Sequence, residues 1–135
     1  MDFDLTELEF RRLLDMAYIG NWILNSTRGT DRIVEYDNIE SRLFSLCPSH
    51  GMDTLTEFVG DVARPSAAFE NGGIHEAIAD YEDSVFFEIL AEELARRDMD
   101  FEPIGPENLN ELSNRIDEYI EEFEQNGIDN ISLDK

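Results

Sequence analysis

Two histidines, His50 and His75, one cysteine, Cys47, and 32 carboxylates are the side chains of this sequence that could do acid–base, nucleophilic or metal chemistry. Nucleophilic catalysis needs a hydroxyl or thiol beside a base. The stretch "CPSHG" sets Cys47 and His50 three residues apart, a spacing that suits a Cys–His pair or half of a zinc site. A structural zinc site takes four ligands, and the chain has no second cysteine. The segment therefore reads as a cysteine on an apolar helix face followed by a loop histidine. His75 follows "ENGG" at the start of a helical stretch, the usual place of a solvated or hydrogen-bonded histidine. No Gly-x-Ser-x-Gly elbow is present.

Carboxylate metal sites fare no better. Asp98, Asp100 and Glu102 alternate as the first ligands of an EF-hand do, but Pro103 and Leu109 stand where that loop requires glycine and glutamate. The Glu-x-x-His pair of di-iron bundles is absent, as are the glycine-rich phosphate loops. No cofactor is expected. A small enzyme or metal–carboxylate protein using His50 or His75 is kept as the second alternative.

Charge is the larger signal. Ten basic against 32 acidic residues give −22, and nine of the ten cations are arginine. Residues 1–69 carry 12 acids and 6 bases; residues 70–135 carry 20 acids and 4 bases. Such a field repels nucleic acid and anionic membrane and attracts basic proteins. In "DEYIEEFEQNG", five carboxylates share about three helical turns with no cation among them. Like-charge neighbours four apart, Asp117 with Glu121 and Glu118 with Glu122, each destabilise a helix by roughly 0.2–0.5 kcal/mol. Burying one side chain of the stripe through Ile116, Ile120 and Phe123 contributes about 1.5–3 kcal/mol, so the helix survives.

The expected function is a non-enzymatic interaction module that binds a basic protein through a carboxylate-rich face, in the manner of an inhibitor or charge mimic. The analogy is one of charge and size, not of motif. The partner-binding residues expected are Glu88, Glu92, Glu111, Glu118 and Glu122. The first alternative is a homo-oligomeric helical bundle, a homodimer in its simplest form, whose acidic coat only keeps it soluble.

The elements that must carry these residues read as helices almost throughout. The expectation is an all-α fold, a compact bundle of four to six helices, as one domain over residues 1–135 with a short flexible tail from about 128. Thr6-x-x-Glu9 is a capping box opening a first helix that is apolar on most sides from Leu13 and carries Gly20 inside it, as if to admit a neighbour. Thr30 or Asp31 would cap a second helix burying Tyr36, Ile39, Leu43, Leu46 and Cys47. A short helix from Thr54 and a loop over "GDVARPSAAFENGG" follow.

Residues 74–98 contain a phase break. Ile74, Ile78, Tyr81 and Val85 form one stripe, while Phe86, Ile89, Leu90 and Leu94 lie on another, which predicts two helices. The last helix begins near Pro106 and stops at Asn126-Gly127. A lone cysteine, the lack of a basic–apolar leader and the lack of an apolar run long enough to span a bilayer predict a cytoplasmic protein without membrane contact.

Overall fold

A computed structural model describes residues 1–134. Helices dominate: α1 spans Glu7–Asn25, α2 Val34–Phe44, a short α3 Ala67–Phe69, α4 His75–Asp98 and α5 Leu109–Asn126. The chain is not purely α. Strands β1, Thr56–Val59, and β2, Val62–Pro65, form an antiparallel hairpin in which Val59 faces Val62 across a Gly60-Asp61 turn. This corrects the expected helix from Thr54 and the expected loop after it. Gly60 has φ of +62°, the left-handed value that a two-residue hairpin turn opening on glycine needs. "VGDV", residues 59–62, is therefore a hairpin signal that follows closely on the capping-box residues Thr54 and Glu57.

The chain divides into two compact units, Met1–Ile78 and the residues from Ala79 onward. The first unit has a core of Phe10, Leu14, Tyr18, Phe44, Cys47, Ala63, Phe69 and Ile78. The capping box of α1 forms as expected: Thr6 Oγ1 accepts from the Glu9 amide, and the Thr6 amide donates to Glu9 Oε1. One face of α1 is buried, through Phe10, Leu14, Tyr18, Asn21 and Asn25 at spacings of four, four, three and four. The opposite face stays open although it is apolar: Leu8, Met16 and Ile23 are 65%, 69% and 62% exposed. A β-carbon added at Gly20 would meet nothing within 4 Å, so that glycine admits no close neighbour.

Helix α2 is turned relative to its expected face. Tyr36, Ile39 and Leu46 are exposed, whereas Phe44 and Cys47 are buried and Asp37 and Glu40 are half-buried. Its start also differs from expectation. Ile33 occupies the cap position without a side-chain cap bond, and the tie is made instead by Asn25 of α1. Asn25 Oδ1 accepts from the Ile33 amide at 2.8 Å, while Nδ2 donates to the Ile33 carbonyl at 3.0 Å.

Residues 75–98 form one helix of 24 residues, not two. The expected stripes are not what it buries: Tyr81, Phe86 and Ile89 are exposed. Ile78 joins the core of the first unit, and Ala91, Ala95 and Met99 are buried in the second. Burial is thus concentrated toward the two ends of the helix, so continuity of stripe is not required of it. Beyond α4, Arg96 and Arg97 accept with their carbonyls from the amides of Phe101 and Asp100, a closed C-terminal motif. Asp100 and Phe101 hold φ of +53° and +54° there. Helix α5 starts three residues after Pro106 and ends at Gly127, as the Asn-Gly pair predicted. After it, Asn130 Nδ2 donates to Glu122 Oε1 at 2.6 Å, which turns the chain back onto the helix. Lys135, the end of the expected tail, lies outside the described residues.

Candidate functional site

In the second unit, α4 and α5 pack through Phe87 against Phe123, with ring centroids 5.4 Å apart, and through a small cluster of Ala95, Met99 and Leu112. Tyr119 donates to Asp98 and lies within reach of Arg97. That hydroxyl and the adjacent arginine hold the Asp98 carboxyl below the usual range. The apolar stripe of α5 is thus the expected one: Leu112 and Phe123 are buried, Ile116 and Ile120 half-buried, with Leu109 left outside.

The five carboxylates expected to face a partner fall into two sets. Glu111, Glu118 and Glu122 share one face of α5 with Arg115, at spacings of four, three and four. Glu111 takes both Arg115 Nε and a terminal guanidinium nitrogen, at 3.2 and 3.1 Å. Glu122 is half-buried and accepts from Asn126 and Asn130. Asp98, Arg115, Glu118, Tyr119 and Glu122 line a cleft of about 300 Å3. Glu88 and Glu92 are exposed on α4. Glu88 lies on a different cleft, of about 350 Å3, with Ser84, Phe87, Ile120, Phe123 and Glu124.

From Ala79 onward the sequence holds 18 acids against Arg96, Arg97, Arg115 and Lys135. Among the described residues of this unit, only Asp98 and Glu111 pair with an arginine. The negative field of the helical pair is therefore largely uncompensated by the unit's own side chains.

The histidines sit elsewhere. His50 stacks on Phe10 and meets Glu7 Oε1 through Nδ1 at 3.0 Å. Its expected neighbour Cys47 is fully buried, and burial pushes the thiol's pKa up, away from the thiolate that a nucleophile or metal ligand needs. His75 meets the Tyr18 hydroxyl through Nε2 at 2.6 Å and stands edge-on to Trp22, with centroids 4.9 Å apart. Among the described residues, neither histidine is hydrogen-bonded to a serine, threonine or cysteine, and no group of three metal-ligating side chains forms.

A feature missed by pattern reading lies between α1 and α2. Asn25 Nδ2 donates to Asn21 Oδ1 at 2.6 Å, and Asn21 Nδ2 donates to both Asp37 and Glu40, at 3.0 and 3.1 Å. Arg32 grips Asp37 with two nitrogens, at 2.6 and 2.8 Å. That guanidinium draws the Asp37 carboxyl below its ordinary pKa, whereas burial raises that of Glu40. Tyr18, Asn21, Trp22, Ser26, Arg32 and Glu40 line a cleft of about 290 Å3 there. Burial, then Glu70 and Glu40, push the Tyr18 phenol up to about 12, so it stays a neutral hydrogen-bonding group. The signal available in the sequence was Asn21 and Asn25, two amides four apart in the otherwise apolar C-terminal half of α1.

Comparison of the chain with family models, curated proteins and solved structures finds no match. No helix among the described residues is long and apolar enough to cross a membrane.

Proposed function

We propose that the protein is a non-enzymatic, cytoplasmic interaction module whose second unit binds a basic protein. Glu88, Glu92, Glu111, Glu118 and Glu122 face the partner's arginines and lysines. The observation that carries this reading is the contrast, from Ala79 onward, between 18 acids and two internal ion pairs among the described residues. Free exposed carboxylates raise the association rate of a basic partner and reject acidic ones. Glu111 is the weakest member, since Arg115 must be displaced or shared.

The test is titration with an oligo-arginine peptide. Changing Glu88, Glu92, Glu118 and Glu122 together to glutamine should weaken binding about tenfold, and raising salt from about 20 to about 300 mM should do at least as much. The control neutralises four exposed acids of the first unit, Asp2, Asp4, Glu35 and Asp61. Equal loss in the two variants, or affinity indifferent to salt, refutes the reading.

A second reading is favoured by one observation: the open apolar face of α1. Phe3, Leu5, Leu8, Leu13 and Met16, with Glu9 and Arg12 beside them, line a shallow cleft of about 520 Å3. Contiguous apolar surface of this kind marks self-association or partner sites. A homodimer through α1 would be dissociated by Met16→Glu in light scattering; a monomer at all concentrations discards it.

A further inference from the structure

We infer that the groove between α4 and α5 receives a basic amphipathic helix, with one or two large apolar side chains anchored on Phe87, Ile120 and Phe123 and arginines or lysines against the rim. This rests on the basic-partner reading above and adds the form of the partner's contact.

Two properties of the groove choose this occupant. Its floor is apolar: Phe87 and Ile120 are half-buried and Phe123 is buried, and the two rings already pack together. Its rim is acidic: Glu88 and Glu124 line it, and no arginine does. The rim continues along both helices. Glu92 lies four residues beyond Glu88 on α4, and Asp117 and Ile120 precede Glu124 on one face of α5. Tyr81, 61% exposed, lies on the strip of Ser84 and Glu88, about one turn before the groove.

An apolar floor alone would accept any greasy segment. An acidic rim alone would accept any cation. Together they select a segment that alternates the two. A groove between two helices is suited to a third, whose anchors repeat at three and four residues. The volume of about 350 Å3 stands at the lower end of ligand clefts, enough for side-chain anchors. The chain's own helices answer poorly, because at −22 a second copy is repelled from this rim.

The experiment uses two synthetic peptides of identical composition, leucine and arginine only. One sets its leucines at helical spacings of three and four; the other shuffles them. The patterned peptide should bind the intact protein about tenfold more tightly than the shuffled one. Ser84→Trp, which fills the groove from an exposed position without removing a core side chain, should bring the two within about twofold. As a readout independent of that variant's folding, the Ile120 methyl resonances of the wild-type protein should move on adding the patterned peptide only. Equal affinities for the two peptides, both lost in salt, overturn the groove and leave the electrostatic reading standing. No binding by either overturns both. A patterned-peptide advantage that survives in a folded Ser84→Trp variant overturns the groove, as does a dimer that this variant dissociates.

Discussion

Among the described residues, five of six arginines in the unit Met1–Ile78 stand within 4 Å of a carboxylate, whereas from Ala79 onward two of three do so among many more acids. The cores differ in parallel. The first unit closes eight buried side chains around Phe44 and Phe69 and carries a polar seam from Asn25 to Arg32. The second rests on a cluster of Ala95, Met99 and Leu112 with the Phe87–Phe123 contact beside it. A half-buried carboxylate such as Asp37 must be answered locally, because desolvation is not offset otherwise. An exposed one such as Glu88 need not be. Charge left unanswered on a thin, two-helix unit is tolerated there because water screens it, and it is also what a partner can use.

The comparison is broken most severely through the first core. Phe44→Ala, at a fully buried ring packed edge-on to Phe69, should cost about 3–5 kcal/mol in urea unfolding. A loss below about 1 kcal/mol would mean that this cluster is not the stabilising centre.

Next comes the seam. Asn25→Ala removes the bridge to both backbone groups of Ile33 and the bond to Asn21, and should cost about 1–3 kcal/mol. Amide exchange at Ile33 should accelerate with it. Unchanged exchange there would show that the tie is not used.

A matched pair of charge removals sharpens the contrast between units. Asp37→Asn deprives Arg32 of its fork and should lose about 1 kcal/mol. Glu121→Gln relieves repulsion with Asp117 on α5 and should gain roughly 0.2–0.5 kcal/mol at low salt, fading as salt rises. Thermal melts of both variants at two salt concentrations decide it; the same sign for both would erase the distinction between answered and unanswered charge.

The smallest expected effect is in pH. Burial holds the Glu40 proton in the folded state to higher pH than in the unfolded chain. Its contribution is therefore intact below the unfolded value, near 4.3, and is lost as pH rises through the folded one. Asp37 runs the other way, lending stability above its unfolded pKa and losing it on acidification. Glu40→Gln should melt with the wild type at about pH 4 and slightly above it at pH 7. Parallel melting curves across that range would remove Glu40 from the account.

Much of the fold was legible where the signal is local. The Thr6–Glu9 box opens α1, Asn126-Gly127 closes α5, and the Leu112–Phe123 stripe packs as its spacing demands. These depend on residues within one or two turns of each other, where nothing placed against them competes for the same backbone groups. The concentration of acid in the second half of the chain is likewise a property of composition.

Other features were decided only when distant segments met. Thr54–Glu57 offered a capping box, yet the glycine turn and the pairing of Thr56 with Pro65 made a hairpin. The apolar stripe of α2 gave way to the Asp37–Glu40–Phe44 face because Asn21 and Asn25 of α1 offered it hydrogen bonds. The two expected stripes of α4 did not decide its packing: Tyr81, Phe86 and Ile89 stay exposed, while Ile78 and Ala95 near its two ends are buried in different cores. The Glu88–Glu124 rim exists only where two helices bring an apolar floor between them. A side chain's periodicity states which face could be buried; which face is buried depends on what the rest of the chain places against it, and that is a long-range term the local pattern does not contain.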